Sequence, residues 1–188
     1  MSYKDKTLIF ESNKIYYDDA GNSIEMEVMM DWEDAVMKKS ADYACEGGGD
    51  ILEIGFGMGI AADYIQANSI TSHTIVENHP QIIEKANAWA SGKSNVTVVE
   101  GDWYTIKDSL STYDGIFYDT WADDNTNNFV NELSNLVKSG TRVTWWNNFT
   151  NTDDVFFTNG TTYQAISVNP DSNMYFQSNT YHLPKKQF

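Results

Sequence analysis

The chain has 188 residues, 41% of them hydrophobic and 14% aromatic, and a formal charge of −15 from 27 acidic and 12 basic side chains. Such a chain can bury one sizeable core, is too apolar to be disordered, and is acidic enough to repel nucleic-acid phosphates and anionic lipid surfaces. A single arginine (Arg142) leaves no cluster to clamp phosphates, and a single cysteine (Cys45) excludes an intrachain disulfide or a cysteine-based zinc site and fits a reducing compartment.

In chain order, the opening MSYKDKTLIF lacks the apolar core of a signal peptide, and no later run reaches membrane-spanning length, so a cytoplasmic location is expected. Residues 8–27 read as an irregular or hairpin-like arm turning at Asp19-Ala20-Gly21-Asn22. Residues 28–45 read as a helix ended by Gly47-Gly48-Gly49. Strands are then expected at 51–54, 74–77, 96–99, 115–118 and 141–146. They alternate with helices at 60–67, 80–90 and 127–138 and a short helical piece at 104–111; Pro80 suits a first helical turn. Two strand-like runs, 163–168 and 174–182, flank the turn signal Asn169-Pro170-Asp171-Ser172, with no room for a helix between them. The fold expected is α/β: a Rossmann-like, mostly parallel seven-stranded sheet ending in an antiparallel hairpin.

The segment ILEIGFGMGIAADYI places Gly55, Gly57 and Gly59 between the first of these strands and its helix. A dinucleotide fingerprint needs G-x-G-x-x-G; the pattern here is G-x-G-x-G, unsuited to a pyrophosphate but suited to S-adenosylmethionine lying across the loop. Glu77, ending the next strand, can accept both ribose hydroxyls. Asp102 can accept from an adenine amino group, with Trp103 beside the base.

Two further features bear on the acceptor. In MEVMMDWEDAVM, a helix would stack Met29, Glu33 and Met37 on one face, and a carboxylate within a methionine stripe calls for a partner. Asp119 stands in YDTW at the carboxyl end of the fourth strand, the edge where such sheets place ligands. Two carboxylates meeting at one site suit a planar guanidinium fork. A guanidinium holds its proton up to a pKa above about 12, so its nitrogen attacks a methyl group only if a base takes a proton as it does so. Asp119 and Glu33 are therefore the candidate catalytic pair. No metal is expected.

The strings MEVMMDWEDAVM, ILEIGFGMGIAA, TIVEN and DGIFYDT together resemble the guanidinoacetate N-methyltransferases, class I S-adenosylmethionine-dependent enzymes, in register from about residue 28 to 150. The resemblance implies a single methyltransferase domain over 28–188, with residues 1–27 as an arm or lid. It implies donor contacts from Met29, Met37, the loop Gly55, Phe56, Gly57, Met58, Gly59, Ile60 and Ala61, and from Glu77 and Trp103. It also implies that Glu33 and Asp119 hold the guanidino group, that Asp119 accepts the proton, and that the backbone at Asn148, Phe149 and Thr150 takes the substrate carboxylate. Where the family has a long helical segment before the last two strands, this chain has only residues 151–162, which implies a more open pocket. The expected reaction is methylation of a small guanidino compound, guanidinoacetate to creatine. Protein arginine, another small molecule, or donor binding without catalysis are the alternatives.

Overall fold

The computed structural model describes residues 2–18, 24–148, 152 and 160–188. The expected turn at 19–22 and the candidate positions Phe149 and Thr150 lie outside these residues.

The N-terminal region is more regular than its composition suggests. Three strands, β1 (Ile9–Phe10), β2 (Lys14–Asp18) and β3 (Glu25–Met30), form an antiparallel sheet in the order β1-β2-β3. The expected helix over 28–45 therefore begins late. Met29 and Met30 are held as strand by pairing with β2, opposite Ile15 and Lys14, and Val28 sits at a register shift between them and Glu27, which pairs with Tyr16. A 3-10 turn at Asp31–Glu33 follows, and helix α1 runs Asp34–Ala44. Met29, Glu33 and Met37 thus do not stack on one helical face: they sit on a strand, a turn and a helix. Methionine is tolerant of either conformation, so the non-local pairing decides.

The main sheet contains β4 (Asp50–Ile54), β5 (Ser72–Glu77), β6 (Val96–Glu100), β7 (Tyr113–Tyr118), β8 (Val137–Trp145), β9 (Thr161–Ser167) and β10 (Thr180–Gln187). Their order is β6-β5-β4-β7-β8-β10-β9, parallel from β6 to β8 and antiparallel at β10 and β9. Helices α2 (Ile60–Ala67) and α3 (Pro80–Ala90) fall where the apolar periodicity puts them. One face packs Ile51 and Ile75 under α1, α2 and α3. The other packs Leu52, Ile54, Val76 and Ile116 under the short helices α4 (Trp103–Ile106) and α5 (Phe129–Glu132). Burial on both faces is why these strands are apolar throughout.

Two further expectations need correction. The helix over 127–138 is only the single turn of α5 between 3-10 turns at Thr126–Asn128 and Leu133–Asn135, and Val137 already belongs to β8. Asn127, Asn128, Asn131, Ser134 and Asn135 favour local side-chain bonds over a continuous helix. The run 174–182 is not one strand. β10 starts at Thr180, and the preceding loop is organised by Asn173, whose Oδ1 accepts the N–H groups of Tyr175 (3.0 Å) and Phe176 (2.7 Å). No helix among the described residues is long and apolar enough to cross a membrane.

Candidate active site

β5 and β7 lie on opposite sides of β4, so the connections leaving their carboxyl ends diverge and open a crevice there. The cleft has about 910 Å³ of empty space, counted to its open mouth.

The glycine loop forms its floor. Gly55 has φ +94°, and a Cβ built on it would stand 1.8 Å from the Asp119 carbonyl oxygen. Gly57 has φ +54°, with the Met29 sulfur 2.5 Å from such a Cβ, and at Gly59 (φ +80°) the Phe56 ring would be 2.8 Å away. These glycines are thus required by the chain's own packing. The loop is fastened from two sides: the Met58 N–H donates to the Met29 Sδ at 3.1 Å, and the Phe56 N–H donates to Glu77 Oε2 at 2.9 Å. Gly55, Phe56, Gly57 and Ala61 line the cleft, as do Met29 and Met37; Met58, Gly59 and Ile60 do not.

Glu77 ends β5 buried at the cleft wall, its Oε1 accepting the N–H groups of Asn78 (2.8 Å) and His79 (2.9 Å). A carboxylate offers about four acceptor positions, and three are taken. Trp103 also lines the cleft, its indole N–H donating to Asp123 Oδ2 at 2.5 Å. Asp102 is elsewhere. Its Oδ1 caps α4 by accepting the Thr105 N–H at 3.1 Å, and it borders a neighbouring pocket beside Ser2 and Asp124.

Glu33 and Asp119 line the same cleft. Glu33 is 3% exposed, and its Oε1 accepts the Met30 N–H (2.8 Å) and the Tyr175 hydroxyl (2.5 Å). Burial, and next the negative charge of Asp119, push its carboxyl up to about 8, against the lowering effect of those two donors. The Asp119 carboxyl is pushed up to about 7 by burial and by the charges of Glu53 and Glu77. Its N–H donates to the Ile54 carbonyl at 2.9 Å, tying the ends of β7 and β4 together. Asn148 is in the cleft wall, where its Oδ1 accepts the Trp146 indole N–H at 2.9 Å.

The sequence reading missed Tyr175, Trp121 and Trp146, which form an aromatic wall beside Glu33, and Glu53, which lines the cleft at the foot of the loop. The Glu53 Oε2 meets His73 Nε2 at 2.9 Å, while its buried Oε1 has no partner among the described residues. Its apolar neighbours Leu52 and Ile54 made Glu53 read as strand interior; a carboxylate inside a fully buried strand was the available signal.

Residues 4–168 match the guanidinoacetate N-methyltransferase family. The chain belongs to that family. Its similarity also extends to the protein arginine N-methyltransferase 2 of Yarrowia lipolytica, 35% identical over 71% of this chain and 30% of the relative. That of Saccharomyces cerevisiae is 36% identical over 65% and 30%. The chain spans about a third of the length of these curated relatives. Among solved structures, the N-methyltransferase NodS of Bradyrhizobium japonicum aligns with a TM-score of 0.63 at 14% identity, covering 83% of this chain and 96% of that one. A precorrin-6y C5,15-methyltransferase of Geobacter metallireducens aligns at 0.59 and 16%, covering 90% and 95%. At such identities they establish the fold alone.

The cofactor of this family is S-adenosylmethionine, and the residues present fit it. The floor of the cleft is a glycine loop, in which a Cβ at Gly57 would drive into the Met29 sulfur that holds the loop in place. The orphaned Glu53 Oε1 suits an ammonium, and Glu77 retains an acceptor position for a ribose hydroxyl.

Proposed function

We propose that this chain is an S-adenosylmethionine-dependent N-methyltransferase of guanidino groups, acting on a small free guanidino acid of the guanidinoacetate type. The observation that carries this reading is the pairing of two carboxylates, Glu33 and Asp119, in one cleft walled by Trp121, Trp146 and Tyr175. A guanidinium is planar, cationic and weakly hydrated. It can hydrogen-bond two carboxylates edge-on and rest against aromatic faces.

The bound donor supplies an electrophilic methyl group on a sulfonium. The chain's residues supply the rest. Glu33 Oε2 and the Asp119 carboxylate, neither accepting a hydrogen bond from any described residue, hold the guanidinium edge and fix the attacking nitrogen. As the nitrogen–carbon bond forms and the sulfur–carbon bond breaks, Asp119 takes the proton that nitrogen must lose. The substrate carboxylate is received on the side of the cleft where Asn148 stands, the chain's one arginine, Arg142, being paired with Glu46. Residues 1–27 act as a lid: Tyr3 stands in the cleft wall, and the arm is pinned to α3 where the Leu8 N–H donates to Gln81 Oε1 at 2.7 Å.

A second reading, arginine within a protein, is favoured by the names of the fungal relatives. Labelled donor offered to guanidinoacetate, other small guanidines and arginine-rich peptides in parallel separates the two. Transfer to guanidinoacetate supports the first reading, transfer to peptide alone replaces it with the second, and donor binding without any transfer defeats both.

A further inference from the structure

We infer that Tyr175 is the positioning residue of the substrate-facing carboxylate: its hydroxyl locks Glu33 through one oxygen and leaves the other to receive the guanidinium. The inference rests on the functional reading above and adds to it a residue distant in sequence from both carboxylates.

The geometry is specific. Glu33 Oε1 takes both fixed donors, the Met30 N–H at 2.8 Å and the Tyr175 hydroxyl at 2.5 Å, while Oε2 takes none among the described residues. A carboxylate held through a single oxygen by two donors has a defined plane and cannot rotate to offer either oxygen at random. Tyr175 is itself immobilised. Its ring stacks on Trp32 (5.9 Å, 27°) and meets Trp121 (5.9 Å) and Trp146 (6.1 Å) edge-on. Its backbone is set from both sides by the Asn173 side chain at 3.0 Å and by the Met174 N–H donating to Glu27 Oε2 at 3.3 Å. The loop between β9 and β10 is thereby fastened to β3 and delivers one hydroxyl to one carboxylate.

The titratable groups around Glu33 are Asp119 at the end of β7, Tyr175 itself, Tyr181 on β10, and Glu27 on β3, which acts on Tyr175. Burial and Asp119 both favour protonated Glu33, and a neutral carboxyl would not attract the cation. The Tyr175 hydroxyl and the Met30 N–H oppose that protonation; the hydroxyl is the side-chain member of the pair. A hydrogen bond to a charged group is strong enough to move a carboxyl by about one pH unit.

Tyr175→Phe removes the hydroxyl and keeps the ring among its indoles. Two measurements test it. The Glu33 carboxyl band, followed by infrared titration and assigned by its loss in Glu33→Gln, should move upward by about one unit. In turnover of guanidinoacetate, the acid limb of kcat/KM should move the same way, with about a tenfold loss at pH 7 that shrinks toward pH 9. Binding of S-adenosylhomocysteine, measured by calorimetry, should stay within about twofold. An unmoved carboxyl band overturns the inference whether or not the protein turns guanidines over. So does a loss of activity that is equal at every pH and accompanied by lost cofactor binding, which would make Tyr175 a packing residue. A moved band in a protein that methylates no guanidine would uphold the Tyr175–Glu33 coupling and defeat the functional reading instead.

Discussion

The Glu77 carboxylate holds the backbone N–H of Phe56 at 2.9 Å, so the end of β5 fixes the conformation of the glycine loop that leaves β4. The same side chain accepts the N–H groups of Asn78 and His79. Glu77 therefore shapes the glycine loop, and in the proposed function it also offers an acceptor to a ribose. Glu77→Ala strands three backbone donors that are otherwise satisfied, each costing about 1–3 kcal/mol where water cannot reach it. The expected result is a loss of donor affinity of at least about tenfold together with a lower Tm. Calorimetry with S-adenosylhomocysteine and thermal unfolding check both, and full donor affinity in this variant would remove Glu77 from the cradle.

Asp119→Asn separates holding the donor from accepting a proton. The side chain accepts no hydrogen bond from a described residue, and the amide is nearly isosteric, so the packing of β7 against β4 should survive. An amide cannot take the proton, and its N–H₂ group faces the guanidinium with the wrong polarity. Turnover should fall by about 10²-fold or more, in line with the loss of a general base, while S-adenosylhomocysteine affinity changes little. Equal losses of turnover and affinity would show that Asp119 supports the cofactor site instead.

Raised carboxyls also predict an opposition between activity and stability with pH. Glu33 and Asp119 bind protons more tightly in the folded protein, at about 8 and about 7, than in the unfolded chain, where both titrate near 4. Their protonated forms thus stabilise the fold fully below about pH 4, and that contribution is lost as the pH rises through 7 to 8. Buried Glu53, also raised, acts in the same direction. The free protein should therefore lose Tm between pH 5 and 8.5, while kcat/KM rises over the upper part of that window as both carboxylates ionise. Glu33→Gln should flatten the decline in Tm. A decline of wild-type steepness in that variant would mean the strain lies elsewhere.

What could be read from the sequence was local or chemical. Strand 51–54 and helix 80–90 follow from apolar runs, and Pro80 marks the first turn of the helix. Glu33 and Asp119 stand out as carboxylates in places where a charge needs a reason, and the fold brings both to one cleft. What could not be read depends on distant pairing. β2 claims Met29 and Met30 as strand, which breaks the supposed methionine stripe but still turns Met29 toward the loop at Met58. The Tyr175–Glu33 bond spans 142 positions, and its loop reads locally as strand because the effect of Asn173 on the backbone leaves no periodic trace. Asp102 looks like a ligand by position but is committed as the cap of α4.

The glycines allow a comparison of close approach with conformational strain alone. Gly55 (φ +94°) and Gly92 (φ +84°) both adopt a backbone that L side chains rarely enter. A Cβ at Gly92 meets nothing within 4 Å, whereas one at Gly55 would lie 1.8 Å from the Asp119 carbonyl oxygen and 2.9 Å from its carbonyl carbon. Gly92→Ala should then cost only the left-handed penalty, about 1–2 kcal/mol. Gly55→Ala adds a clash with backbone, which has no rotamer to escape into. It must push the end of β7 away from β4, breaking the bond from the Asp119 N–H to Ile54. Urea unfolding should show Gly55→Ala losing several kcal/mol, or failing to fold, while Gly92→Ala loses only about 1–2 kcal/mol. Similar losses in the two variants would mean that β7 can shift freely, and that the spacing between Asp119 and the loop is not set by the glycine.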